Sequence, residues 1–343
     1  MEPSLATASI AKHLQSVLPA TGREALATSV LPALLDSVAA VAVALRAAHH
    51  VALAGGTNAF GDDQLNVDVV AENLVREALA RCPTVATASS EEDPVERSVS
   101  NVSAVSSAHS SEVYTVGFDP LDGSSIILPN WTVGTIAGVW DGATALGSRP
   151  ADAQVAAVLG VYGPRTTAIV ALRVPGQRQQ PLCLGLGYTD ASATTPGRWN
   201  IVHANVSLAS PTPPTTRYFA PANARAAAED SNYRDLVLHY VTNKYTLRYS
   251  GGLVPDLVHM LTKGHGIYLS PVTAASKAKL RRLYELCPVA LVLECAGGKA
   301  VDPVTGASVL ATPLAHTDER GGLLCGTAEE VDKAVEWLGR ETT

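Results

Sequence analysis

Aromatic residues are scarce in this chain: three Phe, four Trp and ten Tyr among 343 residues. Stacking on nucleic-acid bases needs a richer supply, so it is excluded as the basis of function. Charge is sparse as well, at 17%, with a formal net charge of −7. That balance disfavours nonspecific attachment to nucleic acid or to an acidic membrane surface, and an anionic substrate would need cations gathered locally. The five cysteines, Cys82, Cys183, Cys287, Cys295 and Cys325, are odd in number and have no CxxC spacing. They read as buried free thiols in a reducing compartment. The nine histidines form no metal-ligand spacing, and GxGxxG, GxxxxGK and GxSxG motifs are all missing. Dinucleotide, P-loop and serine-hydrolase chemistries are thereby removed. The uncharged stretch from Gly123 to Trp140 carries Pro129, Gly134 and Gly138, so no membrane span is expected there. The N-terminus lacks a charged region followed by a hydrophobic signal core, and the C-terminus lacks an SKL-type address. A cytoplasmic location is expected, with plastid or glycosome as the alternatives.

What is present is Ala, Val and Leu in quantity, within a hydrophobic share of 47%. A chain of this length exceeds the usual single core, so two domains or one large α/β unit are expected. Helices are predicted over 4–19 and 21–47, with Thr21 and Glu24 as a capping box and a kink at Pro32. A glycine turn at Gly55, Gly56 and Gly61 follows. The spacing of Val69, Val70, Leu74, Val75 and Leu79 predicts a helix over 65–81, which puts Asp62 just before it and Asp68 in its first turn. The stretch 94–111 contains seven serines and reads as a surface loop. Strands are expected over 113–118, 132–140, 155–162, 168–172 and 199–206. The prolines at 211, 213 and 214 mark a linker, dividing the chain into 1–210 and 211–343. Further helices are expected over 254–263, 278–295 with Pro288 interrupting, and 329–338 with Thr327 and Glu330 as a capping box. Gly297 and Gly298 read as a helix stop.

The run FDPLDGSS, Phe118 to Ser125, concentrates the chemistry. Asp119 and Asp122 can hold hard cations, while Gly123, Ser124 and Ser125 let an anion approach the main chain closely. Phosphate-ester hydrolysis needs an activated water, neutralised phosphoryl charge and help for the leaving alkoxide. Two or three Mg²⁺ ions supply all three, each needing only one or two carboxylates. Asp62, Glu91, Glu92, Asp119 and Asp122 are enough for that. Glu91 and Glu92 would repel each other without a cation, and following a strand they would point in opposite directions, so their roles should differ. In KAKLRRLYE, Arg281 and Glu285 fall four apart, which on a helix reads as a surface ion pair. NKYTLRYSGG offers Lys244, Arg248, Tyr245 and Tyr249 beside two glycines, and serves equally as a phosphate clamp or a strand end with its turn.

Taken in order, GDDQLNVDVVAENLV, SEED, FDPLDGSS, TVGTIAGVW, YGPRTT, KYTLRYSGGLVPDL, SKAKLRRLYE and ECAGGKAVD resemble the fructose-1,6-bisphosphatase and sedoheptulose-1,7-bisphosphatase family over about residues 50 to 338. The resemblance implies an α/β fold, a layered α-β-α-β-α sandwich of the sugar phosphatase type, with an N-terminal helix-and-sheet lobe and a smaller C-terminal α/β lobe. It implies metal ligation by Asp62, Glu91, Asp119, the Leu121 carbonyl, Asp122 and Glu285, which takes Glu285 out of the surface pair. Asp68 and Glu92 match carboxylates that help deprotonate the attacking water. Gly123, Ser124 and Ser125 match the cradle of the departing 1-phosphate, with Arg281 beside it. Asn223, Tyr249 and Lys279 match contacts to the sugar and its distal phosphate, and Arg248 an arginine reaching a neighbouring subunit. A homodimer or homotetramer is thereby implied, with Mg²⁺ as cofactor, or Mn²⁺ in its place. Ile126 stands where fructose bisphosphatases carry Asn, Ser270 where they carry Tyr, and GGLVPD replaces GSMVAD. All three resemble the sedoheptulose branch. Hydrolysis of sedoheptulose 1,7-bisphosphate at the 1-phosphate is expected, with fructose 1,6-bisphosphate or both sugars as the alternative, and an inactive sugar-phosphate sensor as the remote one. The first 45 residues do not resemble the family's nucleotide-binding helix, and the cysteine pair of redox-controlled plastid enzymes is missing.

Overall fold

The computed structural model describes residues 7–18, 22–57, 63–99, 112–174, 181–209 and 216–340. Asp62, Gly61, the Thr21 cap, residues 100–111 of the Ser-rich stretch and the linker at 211–214 lie outside the described residues. Within them, the five runs expected as strands are joined by Val85–Ser90, Arg97–Ser98 and Leu182–Thr189, which were not, in one sheet of eight. Its order is Arg198–His203, Leu182–Thr189, Thr166–Leu172, Gln154–Tyr162, Val133–Asp141, Tyr114–Asp122, Val85–Ser90 and Arg97–Ser98. Every neighbouring pair is antiparallel except Val85–Ser90 with Tyr114–Asp122, which is parallel.

The central strands are buried on both faces, which is why their sequences run apolar without alternating. On one face, Val116, Ala137, Val158 and Val170 pack with the helices Thr7–Val17, Leu31–Ala47 and Asn66–Leu79. On the other, Ile136, Ala157, Leu159 and Ile169 meet the helices Leu253–Lys263 and Cys287–Cys295. Beneath those helices lies a second sheet, ordered Thr246–Leu247, Tyr218–Pro221, Ile267–Ser270, Leu323–Gly326 and Lys299–Val301. Its far face, with Phe219, Ile267 and Leu324, is covered by Ser231–Thr242 and Ala328–Leu338. Five layers result, alternating helix and sheet, as the resemblance implied.

Two glycines set the spacing of the layers. A Cβ on Gly160 would stand 2.8 Å from both Val38 methyls, and one on Gly134 would stand 2.5 Å from the Val254 Cβ. Helices on opposite faces therefore approach the sheet backbone closely at these points. The segment Leu26–Ala47 is long and apolar enough to cross a membrane, with mean hydropathy 1.9, but 72% of its most apolar window is buried inside the fold. It begins as a π-helical turn, Leu26–Val30, before Leu31–Ala47, and Pro32 sits at that change of winding because it has no N–H to give the helix.

Several expectations are corrected. Residues 278–281 are not helical: Leu280–Arg281 pairs as a short strand with Arg320–Gly321, a π-helical turn covers Arg282–Leu286, and Pro288 lies in the first turn of Cys287–Cys295, where proline is tolerated. The Thr327–Glu330 capping box does not form. The Thr327 hydroxyl accepts instead from the Gly266 N–H at 3.1 Å, and Glu330 accepts from the Tyr245 hydroxyl at 2.7 Å. Within the Ser-rich stretch, Arg97–Ser98 pairs onto the sheet edge. The helix Ser231–Thr242, capped by Asp230, was not anticipated. The stop after Cys295 holds, with Gly297 left-handed at φ +83°.

Candidate active site

Parallel pairing brings the acidic residues together. Ser90 pairs with Phe118, so both strands deliver their next residues, Glu91 and Asp119, at the same end of the sheet. Pro120 cannot donate to the ladder, and the register with Val133–Asp141 slips between Asp119 and Asp122. The corner is then held from inside: Asp119 accepts from the Leu121 N–H at 3.0 Å, and the Thr135 hydroxyl donates to the Pro120 carbonyl at 2.7 Å. Glu285 reaches the corner from the π-helical turn Arg282–Leu286. One carboxylate oxygen each from Glu91, Asp119 and Glu285 lie within 4.8 Å of one another.

Arg281 does not pair with Glu285 along a helix. Its backbone N–H donates to the Glu285 carboxylate, and its guanidinium, only 4% exposed, pairs with Glu91. Burial and the neighbouring Glu91 push the Asp119 and Glu285 carboxyls well above the usual carboxylate range. An all-oxygen, partly buried set of this kind fits a hard divalent cation, which would return these groups to their ionised form.

Asp122 stands beside the trio but is held differently. Its two oxygens accept from the N–H groups of Leu253 and Val254 at 3.1 and 2.7 Å, at the start of the helix Leu253–Lys263. Burial still raises it to about 6. Gly123 follows in the left-handed region at φ +96°, and the one-turn helix Ser124–Ile127 begins at once. Its opening amides have no acceptor within the turn, the arrangement that suits a phosphate oxygen. The Ser124 hydroxyl lies 3.3 Å from Asp68 and 3.1 Å from the Leu121 carbonyl, one proton for two acceptors.

Asp68, in the first turn of Asn66–Leu79, also accepts from the Leu65 N–H at 2.8 Å, and burial raises its pKa. Glu92 accepts from the Gln64 amide. Adjacent glutamates therefore do face different partners. A second corner gathers Asn223, which donates to the Pro271 carbonyl at 2.7 Å, and Tyr249, whose hydroxyl donates to the Ala222 carbonyl at 3.0 Å. Arg248 lies over the Tyr218 ring at 5.7 Å, and Lys279 is exposed. Among the described residues, neither Arg248 nor Lys279 makes a hydrogen bond or ion pair with the acidic trio. Thr246–Leu247 forms a short strand ahead of them, so that part of NKYTLRYSGG is a strand end with its turn.

Sequence reading missed Gln64, the Leu253 and Val254 amides, and Glu72 with Arg76. Only the last pair left a signal: 68, 72 and 76 recur at helical spacing on the face that buries Val67, Ala71 and Val75.

Comparison with known proteins agrees with this geometry. The chain matches the profile "Fructose-1-6-bisphosphatase, N-terminal domain" over residues 8–182 and "Fructose-1-6-bisphosphatase, C-terminal domain" over 212–339. It is 39% identical over 288 residues to the chloroplastic sedoheptulose-1,7-bisphosphatase of Triticum aestivum, covering 83% of this chain and 67% of that one. With the class 1 fructose-1,6-bisphosphatase of Syntrophotalea carbinolica it shares 33% identity over 290 residues, covering 84% and 82%. A crystal structure from Toxoplasma gondii, assigned as a sedoheptulose-1,7 bisphosphatase, superposes with a TM-score of 0.81 at 32% identity, covering 96% of this chain and 98% of that one. The Leishmania major fructose-1,6-bisphosphatase in holo form shares the fold, with a TM-score of 0.79 at 24% identity, covering 96% and 98%. By these matches, over both halves of the sequence, the chain belongs to the fructose-1,6-bisphosphatase family.

Proposed function

We propose that this chain is a metal-dependent sugar bisphosphatase that removes the 1-phosphate of sedoheptulose 1,7-bisphosphate, giving sedoheptulose 7-phosphate and phosphate. The observation that carries the reading is the partly buried trio Glu91, Asp119 and Glu285, with the glycine-led amides of Gly123, Ser124 and Ser125 just after Asp119 in the chain. Glu91, Asp119 and Glu285 would hold Mg²⁺, or Mn²⁺, with Asp122, the Leu121 carbonyl and Asp62 completing two or three sites. When bound, the metal supplies Lewis acidity toward the phosphoryl oxygens and makes water a stronger acid.

The chain's own groups do the rest. Asp68, raised by burial, and Glu92, oriented by Gln64, accept the proton of the attacking water. The amides of residues 123–125 hold the departing phosphate, and Arg281 answers its charge. Tyr249, Asn223 and Lys279 bind the sugar and the distal phosphate. The acidic strand ends belong to a lobe of 1–210, and the sugar contacts to a lobe of 211–343. Arg248 reaches a neighbouring subunit of a homodimer or homotetramer, and the enzyme works in the cytoplasm.

Ile126 supports the seven-carbon sugar. Its side chain lies where a Cβ on Gly251 or Gly252 would meet it at 3.2 Å, between the phosphate cradle and the Tyr249 turn. A second reading, fructose-1,6-bisphosphatase activity, draws on the 33% identity to the Syntrophotalea carbinolica enzyme. Measuring kcat/KM for both bisphosphates on one preparation decides between them. A preference for the six-carbon substrate of about tenfold, ~1.4 kcal/mol in transition-state binding, overturns the assignment of the sugar. Full turnover after exhaustive chelation overturns the metal dependence, and absence of phosphate release leaves only a sensor.

A further inference from the structure

One buried carboxylate has no part in the chemistry above. Glu72 lies one helical turn beyond Asp68 and is 9% exposed. It accepts from the Ser90 hydroxyl at 2.9 Å and from the Arg76 guanidinium. Arg76 also reaches Asp93 at 3.4 Å and lies 5.6 Å from the centre of the Phe118 ring. These contacts bracket the acidic corner. Ser90 immediately precedes Glu91, Asp93 immediately follows Glu92, and Phe118 immediately precedes Asp119.

The bracket is closed by short bonds. The Ser90 N–H donates to the Asp93 carbonyl at 3.0 Å, the Asp93 N–H donates to the Ser90 hydroxyl at 2.9 Å, and the Glu91 N–H donates to the Phe118 carbonyl at 3.1 Å. The Ser90 hydroxyl spends its proton on Glu72 and its lone pair on Asp93, which fixes its rotamer. Removing Glu72 would free that hydroxyl, and removing Arg76 would leave the Asp93 carboxylate to the exposed Arg97 alone, which donates to it at 3.0 Å. A buried carboxylate is expensive to keep for packing alone, because an apolar residue would fill the same space without desolvation.

We propose that Glu72 and Arg76 are positioning residues: acting through Ser90, Asp93 and Phe118, they orient the Glu91–Glu92 turn so that Glu91 faces Asp119 and Glu285 while Glu92 faces Gln64. The inference rests on the metal-dependent phosphatase reading. Its consequence follows from geometry, since a ligand displaced by about 1 Å loses most of its contribution to a site with fixed partners.

The test uses the full chain with Arg76→Met, Arg76→Lys and Glu72→Gln. MnCl₂ binding is followed by calorimetry, and phosphate release by steady-state kinetics. Arg76→Met should weaken Mn²⁺ binding about tenfold or more, the usual scale for losing a group that orients a ligand. At saturating Mn²⁺ its kcat should fall while KM for the bisphosphate stays within about twofold, because the sugar contacts lie elsewhere. Arg76→Lys, which keeps the charge but not the planar fork, should recover part of both losses. Glu72→Gln keeps the volume but removes the charge that holds Arg76, so it should weaken Mn²⁺ binding in the same direction and carries the test if Arg76→Met does not fold. Folded variants with wild-type Mn²⁺ affinity and kcat overturn the proposal, and so does a lowered Tm with unchanged Mn²⁺ affinity. Should the wild type bind Mn²⁺ but release no phosphate from either sugar, the functional reading fails while the binding comparison still decides the positioning.

Discussion

Asp119→Asn is the substitution whose outcome the acidic trio fixes most sharply. The trio's oxygens lie within 4.8 Å of one another, and Glu91 is already answered by the Arg281 guanidinium. Asp119 still faces Glu91, Asp122 and Glu285 as like charges. At an effective dielectric of about 20, two unit charges at that separation repel by ~3.5 kcal/mol. Protonation limits the full cost, because the Asp119 and Glu285 carboxyls are already pushed well above the usual range. Relief of about 1–3 kcal/mol is therefore expected in metal-free protein. Asparagine keeps the oxygen that accepts from the Leu121 N–H, so little packing is lost. With ~2.1 cal/mol/K of unfolding entropy per residue, the gain corresponds to a Tm higher by about 1–4 °C.

The pH dependence has a definite sign. A carboxyl raised by folding binds protons more readily in the native state, so metal-free stability falls as pH rises from the unfolded value, near ~4, through the folded one. Asp122, at about 6, contributes across the window from ~4 to ~6. Asp119→Asn removes one contributor and flattens the slope. Metal reverses the wild-type balance: at a hundred times Kd it should add ~2.7 kcal/mol, and the variant should gain far less. Differential scanning calorimetry with and without Mg²⁺, across pH, reads all of this. A variant that melts below wild type without metal, or whose Tm still rises with Mg²⁺ as the wild type's does, refutes the reasoning.

Other substitutions probe separate parts of the site. Glu92→Gln and Asp68→Asn should each lower kcat by about 10²–10⁴-fold with unchanged Tm, as expected on losing a proton acceptor; wild-type turnover in either removes that residue from the chemistry. Ile126→Asn should move the kcat/KM ratio toward fructose 1,6-bisphosphate by about tenfold, ~1.4 kcal/mol, and an unchanged ratio would free Ile126 of any part in sugar choice. Gly134→Ala drives a methyl to 2.5 Å from the Val254 Cβ and 2.8 Å from the Gly160 carbonyl, so it should destabilise by about 1–3 kcal/mol. It should also weaken metal activation, because Val254 holds Asp122; a melt and a Mg²⁺ titration check both effects.

Much of the fold was legible because it depends on local pattern. Continuous apolar runs announced strands covered on both faces, and Gly297 stopped its helix where left-handed backbone was needed. The stretch 278–295 misled because its apolar spacing suits a helix throughout, whereas pairing with Arg320–Gly321 claims its first residues. Thr327 and Glu330 carry the letters of a cap, yet each found a better partner across the fold, in Gly266 and Tyr245.

The sequence alone determined which groups the site has to work with: carboxylates, glycine-led amides and an arginine, since residue type sets charge and donor capacity. It also determined, through Pro120 and Gly123, that the chain must turn sharply between them, because one lacks an N–H and the other admits positive φ. Only the tertiary structure decided which groups meet. Parallel pairing put Glu91 beside Asp119, a π-helical turn more than 160 residues later in the chain supplied Glu285, and Arg281 went to Glu91 rather than to its helical neighbour. Those choices depend on strand register and on which layer covers which face, and neither is written in any local run of residues.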